Sequence, residues 1–241
     1  MTETIVVDRR YRGPDQSGNG GWSAGLVASA LGGPAEVTLR MPPPLDTPLE
    51  VRRTDAGVTV HHGGRVVAEG VPGAAGIEAP RVVSLDEARA ATRAYGGFTA
   101  HLFPGCFTCG PERAEGDGLR IFPGPVQAGP VEAGLVAAPW TPHASVADDD
   151  ATVSVPAVWA ALDCPGAWGS DMSAGRPAVL GRLAVDIRRR PRTGEQLVVL
   201  GWAIEDLPKK FLAGSALQTA DGEVLAVGLA TWVRIPLDWQ G

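Results

Sequence analysis

Hydrophobic and polar residues form two similar patterns along the chain, and each pattern includes a segment that is apolar on almost every side. The first such segment, Gly20 to Leu31, consists mostly of small residues and is followed by Gly-Gly-Pro. It predicts a helix buried on most sides rather than an amphipathic surface helix. The second runs from Ser154 to Asp163, with Ser154 as a candidate cap and Pro156 suited to a first helical turn.

Strand-like runs separated by turn residues follow both helical segments. In the first half they cover residues 35–41, 49–53, 57–61 and 65–69, and in the second half 179–188, 195–205, 211–219 and 223–235. A further strand-like run precedes each helix, at 5–11 and at 134–138. The same order of elements therefore occurs twice, which is typical of an internal repeat.

The two halves can also be aligned residue by residue. Residues 39–51 lie over residues 187–199, and residues 64–70 lie over residues 222–228 with an offset that is larger by ten. The larger offset predicts a longer hairpin in the second half. We therefore expect an α+β chain of two copies, 1–75 and 119–241, in which two antiparallel sheets each wrap a central helix.

A linker with its own helix and a cysteine loop is expected at 76–118. Ser84 and Glu87 have the spacing of a capping box, which predicts a helix from Ser84 to Tyr95. Because its charged residues cannot all be buried, we expect this helix to pack outside the two sheets.

Composition narrows the function classes. The net charge of −6 argues against a nucleic-acid-binding face, which needs clustered positive charge. No apolar run approaches the ~20 residues that span a bilayer, and the amino terminus does not resemble a signal peptide. Three cysteines are too few for a disulfide framework. We expect a cytoplasmic protein that binds neither nucleic acid nor membrane.

Three short motifs resemble those of a known family. They are Asn19-Gly20-Gly21-Trp22 before the first helix, Met41-Pro42-Pro43-Pro44 at a strand, and Cys106-Phe107-Thr108-Cys109-Gly110-Pro111 followed by Gly118-Leu119-Arg120-Ile121. Together with the repeat, they resemble the thioesterase-like hotdog superfamily, in particular the phenylacetyl-CoA thioesterase and type II acyl-CoA thioesterase groups. The resemblance implies a double hotdog fold. It also implies hydrolysis of acyl thioesters, usually of coenzyme A, by water that a helix carboxylate activates.

The resemblance further implies how the site is divided between the copies. In the phenylacetyl-CoA type, a His-Gly-Gly helix start lies nine residues before an acid on the same helix, and two subunits combine one half each. Here Asn19, Gly20 and Gly21 open the first helix, but the ninth residue after Asn19 is Ala28. The second helix lacks the glycines but ends at Asp163. We expect one composite site, with Asp163 as base or nucleophile and Asn19, Gly20 and Gly21 holding the substrate oxygen.

Each of these assignments has an alternative. Asp163 precedes Cys-Pro-Gly and could simply cap a helix end, and a glycine-rich turn before a helix is also ordinary. Arg188, Arg189 and Arg190 form a basic cluster that could contact the phosphates of coenzyme A or be a solvated strand end.

Cys106 and Cys109 have the spacing of half a zinc site or of a redox pair. No second cysteine pair and no histidine pair at ligand spacing accompanies them, so we expect a buried structural turn and neither metal nor cofactor.

The sequence therefore favours an acyl-thioester hydrolase whose partner is an acyl-CoA or a carrier-bound acyl thioester. The type II group carries an Asp, Thr and Gln trio, but Ala230-Thr231 stands where we would expect the glutamine. A non-catalytic acyl-CoA or small-ligand binding protein therefore stays open, as does a hotdog dehydratase or hydratase. Assembly into a homo-oligomer also stays open.

Overall fold

The computed structural model describes residues 3–126, 134–170, 172 and 175–239. The remaining positions of the predicted copies 1–75 and 119–241 lie outside the described residues.

Among the described residues, the first half contains five strands and one α-helix ahead of the linker. Its elements are β1 (Thr4–Val6), α1 (Gly20–Ser29), β2 (Ala35–Leu39), β3 (Pro48–Thr54), β4 (Gly57–His62) and β5 (Arg65–Pro72). The linker helix α2 (Leu85–Thr92) follows.

The second half repeats this order with two additional short elements. Its elements are β6 (Gly124–Pro125), β7 (Val136–Trp140), α3 (Val155–Ala161), α4 (Cys164–Trp168), β8 (Ala178–Ile187), β9 (Leu197–Asp206), β10 (Lys210–Thr219) and β11 (Val224–Arg234). The hairpin of β9 and β10 is longer than that of β3 and β4, as the alignment of the halves predicts.

The described strands form one antiparallel sheet in the order β1-β3-β4-β5-β2-β8-β11-β10-β9-β7-β6. The first half thus has the order β1-β3-β4-β5-β2, and β7-β9-β10-β11-β8 has the same order in the second half. This agreement supports the predicted division into copies at 1–75 and 119–241, which stays a prediction.

The double hotdog arrangement is confirmed, with one difference from the expectation of two sheets. Strands β2 and β8 pair edge to edge, from Ala35 opposite Val185 to Thr38 opposite Arg182, so the two half-sheets are continuous. Arg182 also forms an ion pair with Glu36 across this seam, at 3.2 Å. Pairing of this kind satisfies the backbone groups that two free sheet edges would expose.

Helices α1 and α3 pack against each other in the main hydrophobic core, where α1 also packs against β2, β5 and β8 of the sheet. Gly25 allows close contact, because a Cβ at that position would lie 2.6 Å from the Cα of Pro156. The small residues of α1 therefore contact both a second helix and the sheet, which explains why the segment is apolar on nearly all sides.

Helix α2 covers the opposite face of the sheet, as predicted. Its buried residues Ala88 and Ala91 join a separate cluster with Ala137, Val198 and Leu200 of the second half. The capping box is also present, with the Ser84 hydroxyl accepting from the Glu87 amide and the Glu87 carboxylate accepting from the Ser84 amide.

Replacing Ser84 by alanine should lower the free energy of unfolding by about 1 kcal/mol, because the first turn of α2 loses an acceptor for its free N–H groups. Thermal or urea denaturation measures this change. An unchanged midpoint would mean that α2 unfolds independently of the rest of the chain.

One predicted strand is shorter than expected. The run 5–11 is a strand only as far as Val6, and a short 3-10 helix occupies Arg9–Tyr11. Asp8 causes the change, because its side chain accepts a hydrogen bond from the Arg10 amide and so turns the chain.

Within the part of the chain that the structure describes, no helix is both long enough and apolar enough to cross a membrane.

Candidate active site

Asn19 begins helix α1 and links it to the second half of the chain. Its Oδ1 accepts a hydrogen bond from the Trp22 amide at 2.8 Å, the usual role of an N-cap residue. Its Nδ2 donates to Oδ2 of Asp163 at 2.9 Å. One buried side chain therefore fixes both the start of α1 and the orientation of a carboxylate 144 residues away.

Asp163 lies between α3 and α4 and is 2% exposed. Its Oδ2 also accepts from the backbone N–H of Gly21 at 2.9 Å. It makes no capping hydrogen bond to α4, although it occupies the N-cap position of that helix. Its Oδ1 is buried and has no hydrogen-bond partner among the described residues. The structure thus brings together Asp163, Asn19 and Gly21, one half of the site from each half of the chain.

Gly21 is the point of closest approach between the two helices at this site. A Cβ there would lie 2.6 Å from both the Cβ of Asp163 and the backbone oxygen of Trp159. Only glycine lets the Gly21 amide reach the carboxylate with α3 in its present position.

The environment of Asp163 changes its ionisation. Burial raises the pKa of its carboxyl group to about 7, although the hydrogen bonds from Gly21 and Asn19 act in the opposite direction. A buried carboxyl group with such a pKa can both hold and release a proton near neutrality.

A cavity of about 310 Å³ opens beside this carboxylate. Asn19, Gly20 and Asp163 are among the residues that line it. The apolar lining comes from both halves, including Leu39, Met41, Phe103, Met172, Val179, Leu180, Trp232, Ile235 and Trp239. A mostly apolar cavity with a few polar groups is typical of small-molecule sites.

Gly20, the third predicted substrate-binding residue, also lines this cavity. Its backbone N–H is at the first position of α1 and donates to no acceptor among the described residues. It is therefore a free donor at a helix amino terminus, where partial positive charge accumulates.

The loop 103–111 brings Cys106 and Cys109 to the same cavity, as expected for a buried turn, but a third cysteine joins them. Cys164, the first residue of α4, has its sulfur 3.8 Å from that of Cys106. Nε2 of His101 lies 3.4 Å from the Cys109 sulfur. The sequence spacing reveals only two of these potential ligands, because Cys164 is distant in the chain and comes close only in the fold.

Two buried hydroxyl groups that the sequence did not single out hold the chain just before Asp163. Thr108 donates to the carbonyl of Ala160 at 2.9 Å, and Ser215 donates to that of Leu162 at 2.7 Å. Both carbonyls are near the carboxyl end of α3, where helical hydrogen bonds run out. The pattern of polar and apolar residues along the sequence does not distinguish such hydroxyl-bearing residues from other small residues in strands or loops.

The arginine cluster lies elsewhere. None of Arg188, Arg189 and Arg190 is among the residues that line the cavity. Arg189 pairs with Glu195 at 2.7 Å, and Arg190 pairs with Asp148 at 2.5 Å. An exposed arginine that does line the cavity is Arg40, whose Nε donates to Glu69 at 2.8 Å. The predicted phosphate contact by the cluster stays a prediction.

Solved structures with a similar fold cover nearly the whole chain. A candidate thioesterase from Novosphingobium aromaticivorans superposes with a TM-score of 0.62 at 16% identity, over 97% of this chain and 94% of that one. A hotdog-fold protein from Alicyclobacillus acidocaldarius gives 0.56 at 12%, over 97% and 92%. The TesB protein of Mycobacterium avium subspecies paratuberculosis gives 0.56 at 13%, over 90% and 87%.

These similarities show that the chain has the hotdog fold, as a double hotdog within a single chain. The sequence matches no protein-family model. It also matches no curated protein.

Proposed function

We propose that the chain is an acyl-thioester hydrolase, with one composite site built from the start of α1 and the end of α3. The observation that supports this most strongly is the buried Asp163 carboxylate. One of its oxygens is fixed by Asn19 and Gly21, and the other has no partner among the described residues. Burying a carboxylate with one unpaired oxygen lowers the free energy of unfolding. A residue with only a structural role would not need such a group.

The two carboxylate oxygens have different tasks in this proposal. Oδ2 anchors the side chain, while Oδ1 takes a proton from a water molecule as that water attacks the thioester carbonyl. The carbon–sulfur bond then breaks, and the departing sulfur receives the proton from Asp163. The carboxylate is therefore regenerated in each turnover, and the products are a carboxylic acid and a free thiol.

The oxygen of the thioester would lie at the start of α1. The free N–H of Gly20 can donate to it as negative charge develops, and this donor needs no rearrangement because the helix holds it in place. The apolar part of the cavity then receives the acyl group. The structural neighbours named as a candidate thioesterase and as TesB are consistent with this assignment, although they support the fold alone.

A panel of acyl-CoA thioesters of increasing chain length, with a thiol-detecting reagent, tests the proposal. We expect thiol release that saturates with substrate. Ligand-induced stabilisation without any thiol release would instead favour the binding protein. Loss or gain of enoyl-CoA absorbance would favour a hydratase or dehydratase.

Arg40 provides a test of where the coenzyme A portion binds. Because Arg40 is an exposed cation at the cavity, Arg40→Gln should raise KM for an acyl-CoA about two- to fivefold, as expected for one solvent-exposed charge contact, with kcat unchanged.

Arg190→Gln is the matched control, because Arg190 also pairs with a carboxylate but lies outside the cavity lining. An increase in KM for Arg190→Gln, without any increase for Arg40→Gln, would favour the phosphate contact that the sequence predicts for the arginine cluster.

A further inference from the structure

The three cysteines form a compact cluster whose purpose the proposed hydrolase chemistry does not explain. The sulfur atoms of Cys106, Cys109 and Cys164 all lie within 4.8 Å of one another, and all three residues are buried. Two come from one loop and the third from the first turn of α4. A single buried cysteine is an ordinary small apolar residue, but three sulfurs from two separate segments that lie within 4.8 Å of one another form a ligand set.

The separation of the Cys106 and Cys164 sulfurs matches that expected in a tetrahedral metal site, and the Cys109 sulfur lies within 4.8 Å of both. With zinc–sulfur bonds of about 2.3 Å, two thiolates on one tetrahedral ion lie about 3.8 Å apart. The sulfurs of Cys106 and Cys164 are separated by 3.8 Å. Cys106 and Cys109 belong to a Cys-x-x-Cys-Gly sequence, the ligand spacing found in many structural zinc sites.

Polar neighbours favour the thiolate form that a metal requires. Nδ2 of Asn19 lies 3.7 Å from the sulfur of Cys106 and is directed as a donor. Nδ1 of His101 accepts from the Phe103 amide at 3.0 Å, so its proton is on Nε2, which faces the sulfur of Cys109 at 3.4 Å. In this tautomer His101 is a hydrogen-bond donor to the cluster and not a fourth ligand.

We propose that Cys106, Cys109 and Cys164 together bind one zinc ion. All three cysteines line the cavity, so the fourth coordination position is available to water or to a small molecule there. Zinc fits the set because thiolates are soft ligands and the separation of the Cys106 and Cys164 sulfurs is that of a tetrahedral site. Binding displaces the thiol protons, so the ion and the three sulfurs are held with a net charge of about −1. The proposal replaces the expectation from the sequence that this loop binds no metal.

The proposal does not depend on the hydrolase assignment, and metal content tests it directly. The full chain, free of any metal-binding tag and purified reduced after zinc-supplemented expression, should contain about one zinc per chain by elemental analysis. Replacement of zinc by Co²⁺ should give the near-ultraviolet charge-transfer absorbance of cobalt–thiolate bonds and the visible bands of a tetrahedral site.

Two variants locate the site. Cys106→Ser and Cys164→Ser should each reduce zinc content to near zero, whereas Thr108→Ser, in the same buried loop, should retain it. If the serine variants do not fold, the cobalt spectrum of the unaltered chain decides. Folded, reduced chain that takes up no zinc, takes up copper in its place, or gives no cobalt–thiolate absorbance would overturn the proposal. So would a Cys106–Cys164 disulfide as the state of the purified protein. A hydrolase that lacks zinc would leave the proposed function intact.

Discussion

Replacement of Asp163 by asparagine should lower kcat on an acyl-CoA about 10²- to 10⁴-fold, the usual contribution of a positioned acid–base group. The amide oxygen can still accept from Gly21 and Asn19, so the shape of the site is retained. Its NH₂ group would then stand at the free position, where it cannot take a proton from water. Steady-state kinetics and ligand-induced thermal shift together measure this separation of turnover from binding.

The same substitution distinguishes a functional carboxylate from a structural one. Because the variant removes a buried charge, we expect a melting temperature no lower than that of the parent chain. Asp186→Asn is the control, since Asp186 accepts from the amide of Ala75 and does not line the cavity. Equal activity of Asp163→Asn and the parent, or a large loss of stability without loss of turnover, would show that Asp163 is only a helix-end residue.

Replacement of Gly21 by alanine should lower the free energy of unfolding by about 1–3 kcal/mol or more, because the added methyl group must displace α3. For a chain of this size, that corresponds to a fall in melting temperature of about 2–12 °C. The contacts at 2.6 Å are with a backbone oxygen and a Cβ, neither of which can move aside alone. Calorimetry measures the shift, and activity at a temperature where the variant is folded should also fall.

Two further glycines serve as controls. Gly25→Ala should destabilise to a similar extent, since its Cβ would meet Pro156, but it lies one helical turn away from the carboxylate. Gly33→Ala meets nothing within 4 Å and should have almost no effect on stability. A Gly21→Ala protein as stable as the Gly33→Ala protein would mean that α1 and α3 are not in close contact at Gly21.

The elements of the fold could be predicted because the signals for them are local. Neighbouring residues determine the helix that is apolar all round, the capping box at Ser84 and the turns between strands. Asp163 could be singled out because a carboxylate is unusual in an apolar run. The continuous sheet could not be predicted, because the pairing of β2 with β8 depends on how two distant edges meet.

Side-chain partners across long sequence distances were the main limit on predicting the site. Cys164 follows Asp163 directly, but nothing nearby in the chain indicates that the loop 103–111 packs against it. In the same way, the arginine cluster is visible in the sequence, whereas Glu195 and Asp148, which pair with it, are identified only by the fold. The final ligand set and the cation at the cavity therefore depend on tertiary packing.

The origin of both halves of the site in one chain has a consequence for how the site behaves on dilution. In an assembly of two separate chains, a glycine from one and an acid from the other would come apart as concentration falls below the dissociation constant. Here one covalent chain supplies both Gly21 and Asp163, so their encounter is unimolecular. These two groups therefore stay together at any protein concentration at which the chain is folded, and activity per molecule should not fall on dilution for want of a partner.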